Sequence, residues 1–312
     1  MKVLVLGGAG FVGRHVAAEL LARGRRVVIG TRRPGRAGRR LTATAVRCER
    51  REVHFERLAA AESWPPLLAG VDVVVNCVGI LRERGAETYD SVHHRAPAAL
   101  ASACARSGAR LIHVSALGLH EGARSGFITS KLAGERAVAA SGADYLIVRP
   151  SLLDGEGGFG ARWLRWLARW PVHLVPADAI GRIAALHVHD LGEAIAVLCE
   201  SGANLCGREV EVGGSESWTM AEYLAVLRSE RSTRPVMSVA VPPWLARIAS
   251  HLCDAAHFSP FSFGHLELMR RDNAPRANAL PALLGRAPTP LADRARKHSA
   301  VGQVTPAPPG LR

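Results

Sequence analysis

The chain has 312 residues, with 40 Lys and Arg against 27 Asp and Glu, a formal net charge of +13, and 48% hydrophobic residues. This length can bury one large core or two unequal ones, and a charged fraction of 21% excludes a disordered chain. No apolar run approaches the roughly 20 residues of a bilayer-spanning helix, so a transmembrane segment is not expected. All bases except Lys2, Lys131 and Lys297 are arginine, and aromatics make up only 5%. A basic stripe interleaved with aromatics is therefore missing, which argues against nucleic acid as a partner. Six cysteines at 48, 77, 104, 199, 206 and 253 lack any Cys-x-x-Cys spacing and predict reduced thiols in a soluble, cytoplasmic protein.

Short β-rich runs alternate with helical stretches over the first 150 residues. Val3–Leu6 predicts a buried strand, Phe11–Arg23 a helix stopped by Gly24, and Arg26–Gly30 a second strand. A third, poorer strand is expected at Val53–Phe55. Clearer ones follow at Val71–Val75, Arg110–Val114 and Tyr145–Arg149, with helices at Pro97–Ser107 and Ser130–Ala140 between them. This alternation predicts an α/β fold with a doubly wound parallel sheet in 3-2-1-4-5-6 order. Beyond residue 150 come a glycine-rich loop at 154–160 and an Arg/Trp-rich helix. Asp190 and Glu193 predict a capping box opening a helix to Glu200, and Thr219 with Glu222 predicts another. Two amphipathic helices are expected after Pro242, then a Pro-rich end.

The loop Gly7-Gly-Ala-Gly10-Phe11-Val12-Gly13 joins the first strand to the first helix. Gly7 permits the tight turn, Gly10 lets a pyrophosphate approach the backbone, and Gly13 lets helix pack on strand. The helix N-terminus then offers unpaired N–H groups to the phosphates. The strand–turn–helix setting makes this a dinucleotide-binding fingerprint of the Rossmann type. A carboxylate near the end of the second strand would bind the ribose hydroxyls of NAD, yet no Asp or Glu occurs between Glu19 and Glu49. Arg32 and Arg33 stand there instead, with Arg14 just past the last glycine. Arginine suits a 2′-phosphate through forked, charge-assisted bonds, so NADP(H) is favoured over NAD(H).

Four further segments resemble the extended and atypical short-chain dehydrogenase/reductases, the NAD-dependent epimerase/dehydratase-like superfamily. They are Asn76-Cys-Val78-Gly79, Leu111-Ile-His-Val-Ser115, Arg149-Pro150-Ser151 and Leu186-His-Val-His-Asp-Leu191. The resemblance implies that Asn76, Val78 and Gly79 lie beside the adenine and ribose, that Pro150 passes the nicotinamide, and that Ser115 is a catalytic serine. Leu268–Asn273 and Leu284–Pro288 are similar to bacterial relatives of the Rossmann-type accessory subunit of respiratory complex I. The superfamily's Tyr-x-x-x-Lys is matched by Phe127-Ile-Thr-Ser-Lys131, whose ends share one helix face. The resemblance gives Lys131 the ribose hydroxyls and the tuning of the tyrosine. Phe127 keeps that ring but has no proton to give, leaving water, Thr129 or Tyr89 as donors. Lys131 would otherwise pair with Glu135, and Ser115 would be a satisfied strand-end hydroxyl.

These readings divide the chain into a dinucleotide-binding domain at 1–155, to which 175–200 return, a smaller mixed α/β substrate lobe at 156–300, and a flexible tail at 301–312. His187 and His189 lack a third ligand with useful spacing, so no metal is expected. Within 162–170, Trp163, Trp166, Leu167 and Trp170 share a helix face with arginines around it, which suits a core or pocket wall, or a peripheral membrane contact. Three function classes follow: an oxidoreductase or epimerase acting on an unknown small molecule, a dinucleotide-binding sensor or assembly subunit with little catalysis, and a peripheral membrane protein handling a lipid or quinone.

Overall fold

The computed structural model describes residues 1–38, 41, 45–201, 208–230, 232, 236–256 and 261–290. The tail expected at 301–312, Lys297 and Cys206 lie outside them; the other five cysteines are free thiols. In chain order the first half contains β1 (Lys2–Leu6), α1 (Phe11–Ala22), β2 (Arg26–Thr31), α2 (Pro34–Ala37), β3 (Glu49–Glu52), α3 (Pro65–Leu68), β4 (Val73–Asn76), α4 (Ala96–Ser107), β5 (Arg110–Val114), α5 (Gly126–Ala139) and β6 (Tyr145–Pro150). The second half contains β7 (Leu153–Asp154), α6 (Phe159–Leu167), β8 (Val172–Pro176), β9 (Leu186–His187), α7 (Val188–Glu200), β10 (Arg208–Val212), α8 (Met220–Ser229), β11 (Met237–Val241), α9 (Pro243–Ala256), α10 (Phe263–Met269) and α11 (Leu280–Leu284).

Seven parallel strands form one sheet in the order β3-β2-β1-β4-β5-β6-β10. The expected 3-2-1-4-5-6 order is present, extended by β10, which the sequence reading did not foresee. Alternating side chains build a core on each face. Val3, Val5, Ile29, Val75 and Val148 meet Val16 and Leu20 of α1 and Leu191 and Ile195 of α7. Leu4, Leu6, Val28, Val74 and Leu111 meet Trp64 and the α4 side chains Leu100 and Ala101. Each fully buried aliphatic side chain contributes about 1.5–3 kcal/mol, so these two layers dominate the stability.

Two expectations are corrected. The third strand runs over Glu49–Glu52, before the predicted Val53–Phe55, and Phe55 instead opens a short 3-10 turn. Helix α7 begins at Val188 with His187 as its cap, accepting from the His189 N–H at 3.4 Å, so Asp190 is inside the first turn. Its carboxylate accepts from the Thr289 N–H at 2.7 Å and hydroxyl at 3.0 Å and from Arg286 at 2.9 Å. Burial opposes ionisation there, but these donors outweigh it and hold the pKa below the usual carboxylate range. The Thr219–Glu222 capping box forms as predicted at α8.

A third cluster centres on Leu164, Tyr223, Leu224 and Leu227, where α6, α8 and the β8–β11 pair meet. Helix α6 buries Ala161 and Leu164 and leaves Trp166 49% exposed, and Trp170, just past its end, is 54% exposed. The single tryptophan face read from the sequence is thus split: Trp163 is half-buried, whereas Trp166 and Trp170 point outward.

Candidate active site

A cavity of about 1570 Å³ follows the carboxyl edge of the sheet, from the glycine loop past β2, β4, β5 and β6 into the α6, α8 and α10 region. Gly7 has φ +71°, and a Cβ on Gly13 would run into the Gly7 carbonyl. Both glycines are thus required by the turn, which leaves Gly7, Gly10, Phe11 and Val12 lining the cavity at the start of α1. Asn76 ends β4, fully buried, with Oδ1 accepting from the Val78 N–H at 3.0 Å and Nδ2 3.0 Å from Nδ1 of His113. It shapes the turn from inside while Cys77, Val78 and Gly79 line the wall.

At the end of β2, Arg32, Arg33, Arg36 and Arg84 all line the cavity. Arg32 is ion-paired with Glu87, itself a cavity residue. Arg14 is placed elsewhere: it reaches the Glu156 carbonyl and lies over the Phe11 ring. Of the arginines read from the sequence, 32 and 33 come together and 14 does not.

Ser115, immediately after β5, is buried, and its Oγ has no hydrogen-bond partner among the described residues. The satisfied strand-end hydroxyl is therefore not what forms. Phe127 and Lys131 line the same stretch, one turn apart on α5, with Pro150 and Ser151 opposite in the lining. The Lys131–Glu135 pair is likewise not formed: Glu135 instead holds Arg149 at 2.5 Å. The Lys131 ammonium lies 5.9 Å from the centre of the Phe127 ring, and burial pulls its pKa down to about 8, partly offset by Glu135. His93 and His113 behind it are held well below the usual histidine range, first by burial and then by the Lys131 charge.

Neither proton donor named from the sequence faces the cavity. Thr129 bonds back to the Ser125 carbonyl at 3.1 Å, and the Tyr89 hydroxyl donates to the Leu81 carbonyl at 3.0 Å. Burial raises that phenol to about 12. His265, which no sequence pattern marked, stands beside Phe127 instead. Its ring stacks on Phe127 with centroids 5.7 Å apart and lines the cavity. Burial first, and Arg82 next, lower its pKa to about 4, so it is neutral at pH 7. Ser262 Oγ accepts from the His265 backbone N–H at 3.1 Å and lies 2.5 Å from Nδ1. That contact serves either tautomer of the ring, since Nδ1 can accept from the hydroxyl or donate to it.

The far end of the cavity is apolar, lined by Trp163, Leu164, Ile183, Met220, Leu268 and Met269. Leu268 and Asn273 come from the C-terminal segment singled out in the sequence, and the Asn273 amide ties that segment together through the Leu268 and Arg271 carbonyls. Among the described residues no His, Cys, Asp or Glu group of three or more could hold a metal ion.

The NAD dependent epimerase/dehydratase family matches residues 3–213, more than half of the chain. The chain belongs to that family. Among family relatives, a ceramide reductase of Caulobacter vibrioides is 30% identical over 199 residues, covering 64% of this chain and 61% of that protein. A dTDP-4-dehydrorhamnose reductase of Mycobacterium tuberculosis is 31% identical over 224 residues, 64% of this chain and 66% of its own. A mitochondrial NADH dehydrogenase [ubiquinone] 1 alpha subcomplex subunit 9 of Arabidopsis thaliana is 23% identical, over 72% of this chain and 56% of its own. The chain thus spans less than two thirds of the length of these curated relatives. In solved structures the fold matches an NADPH-dependent quinone oxidoreductase from Escherichia coli, in complex with NADPH, at TM-score 0.73, with 19% identity over 96% of this chain and all of that one. It also matches a Bacillus cereus UDP-glucuronic acid 4-epimerase in complex with NAD at TM-score 0.66, with 17% identity over 95% and 97%.

Proposed function

We propose that this protein is a nicotinamide-dinucleotide-dependent reductase of an apolar carbonyl compound, with NADP(H) favoured. The observation that carries the reading is Ser115: a buried, unpartnered hydroxyl in the cavity shared by the glycine loop and Lys131. A buried hydroxyl without a partner costs about 1–3 kcal/mol, and a substrate oxygen would satisfy it. The residues fit a dinucleotide. The Gly7–Gly13 loop and the start of α1 would take the pyrophosphate, Val78 and Gly79 the adenosine side, and Lys131 the nicotinamide ribose. Arg32, Arg33, Arg36 and Arg84 supply the charge a 2′-phosphate needs. A bound reduced nicotinamide supplies a hydride to the carbonyl carbon. Ser115 would polarise the carbonyl oxygen, and neutral His265, as its Nε2–H tautomer, would hydrogen-bond to the developing alkoxide, which takes from solvent the proton that the Phe127 ring lacks. The reductase relatives support a reduction, and the apolar far wall and the ceramide reductase among them support an apolar substrate.

Phe127 in the tyrosine position and the complex I relative favour a second reading, a dinucleotide-binding assembly subunit without turnover. Titration calorimetry and turnover on a panel of long-chain ketones separate the two. The reductase reading expects NADPH to bind more tightly than NADH, with Arg32→Asp plus Arg33→Ala erasing the preference. It also expects His265→Ala to lower kcat by about 10²–10⁴ at unchanged NADPH affinity, and Phe127→Tyr to restore about 10² of that loss. NADPH binding with no turnover on the panel in wild type or Phe127→Tyr supports the assembly subunit.

A further inference from the structure

Helix α9 is turned the opposite way from an ordinary surface helix. Its small residues Ala246 and Ser250 face the body, while Trp244 is 65%, Ile248 50% and Leu252 64% exposed, with Leu245 beside them. These four recur at helical spacing and make one outward apolar stripe. The strand feeding α9 through Pro242 continues the pattern. Met237 and Val239 of β11 stand in register with Val172 and Leu174 of β8, and all four are exposed. Isolated exposed apolar residues are ordinary, but two adjoining elements displaying them together mark an interaction surface.

The charge around this surface is mainly positive, since its carboxylates Asp178, Asp254 and Glu267 are already bonded to Arg270, Arg82 and backbone N–H groups. No Asp or Glu occurs at 157–177 or at 231–253, stretches that contain β8, β11 and most of α9 and carry six arginines. Next to α9 lies a second cavity of about 450 Å³, separate from the dinucleotide site and lined by Arg124, Arg247, Arg270 and Arg271. Arg270 is paired with Asp178 at 2.6 Å, and the Glu267 carboxylate in this cavity already accepts from the Arg124 and Ser125 N–H groups. The side chains of Arg124, Arg247 and Arg271 make no ion pair among the described residues. Arg247 sits on α9 directly before Ile248 and lies over the Phe263 ring.

We infer that this face docks on an anionic phospholipid surface. The α9 stripe enters the acyl boundary, and the arginine-lined cavity receives lipid phosphates. A second copy is a poor occupant, because a two-fold contact would set this same mainly positive patch on both sides of the interface. The proposal is independent of the reductase reading, since none of these residues lines the dinucleotide cavity.

Flotation of the full chain with vesicles tests this. Wild type is expected to float with phosphatidylcholine containing about one-third phosphatidylglycerol, at least ~10-fold more than with phosphatidylcholine alone, and to be released by ~0.5 M NaCl. Trp244→Ser with Ile248→Ser and Leu252→Ser should abolish flotation, and so should Arg124→Ala with Arg247→Ala and Arg271→Ala. NADPH titration of both variants should match wild type, verifying that they fold. Wild type that stays unbound at low salt overturns the proposal, as does flotation indifferent to lipid charge or surviving either triple variant. Dimerisation of wild type that the serine variant abolishes would assign the face to a second copy instead.

Discussion

Lys131 is the residue whose chemistry is easiest to follow with pH. Burial lowers its pKa to about 8, so at pH 7 the ammonium is mostly charged and near pH 9 mostly neutral. If it holds the ribose and the charge of the dinucleotide, NADPH affinity should weaken as pH rises through 8. Calorimetry across pH 6.5–9.5 checks this, with Lys131→Met expected to bind weakly and without that pH dependence. Lys131 was legible in the sequence because one of only three lysines fell four residues after Phe127. Ser115 was legible because it ends an apolar strand. His265 was not. Its contact with Phe127 joins distant parts of the chain, and a lone histidine before Leu266 has no pattern to mark it.

At the scale of elements, central strands announce themselves and an edge strand need not. β1 and β4 are buried on both faces and read as runs of valine and leucine. β3 reads Glu-Arg-Arg-Glu because its side chains stay partly in water, whereas β10, Arg-Glu-Val-Glu-Val at the opposite edge, alternates and buries Val210 and Val212 in the core. Hydrophobic patterning cannot find β3, which only its backbone pairing reveals, whereas the alternation of β10 was there to be read. The α1–α7 pair has an electrostatic consequence. His15 of α1 lies 4.3 Å from His189, which stacks at 5.2 Å on His187. Burial, then the neighbouring His189, lowers His15 to about 3. An unfolded chain takes that proton near pH 6.5, whereas the folded chain resists it. Stability should therefore decline as pH falls from about 6.5 toward 3. Urea midpoints at pH 7.5 and 4.5 measure the decline, and His15→Gln should make it shallower, although His93, His113 and His265 add in the same direction.

At the scale of the whole molecule, the dinucleotide half could be laid out from the sequence while the region after residue 150 could not. The first follows one repeated strand–helix rule. The second is assembled from short pieces, such as the β8–β11 pair, whose partners lie some sixty residues apart. Asp190 illustrates the same difficulty: its local setting suggested a cap, but its real partners come from Arg286 and Thr289. Removing the partner of a buried charge costs about 3–5 kcal/mol. Arg286→Ala with Thr289→Ala should therefore lower the urea midpoint markedly, whereas adding Asp190→Asn should recover part of the loss. Thr289 follows Asp190 by 99 residues. During synthesis at ~5–20 residues per second, α7 would wait roughly 5–20 s with its carboxylate unanswered. The nucleotide-binding sheet is thus translated early but fastened late, and a ribosome that stalls before Thr289 would leave a nascent chain that cannot latch its own helix.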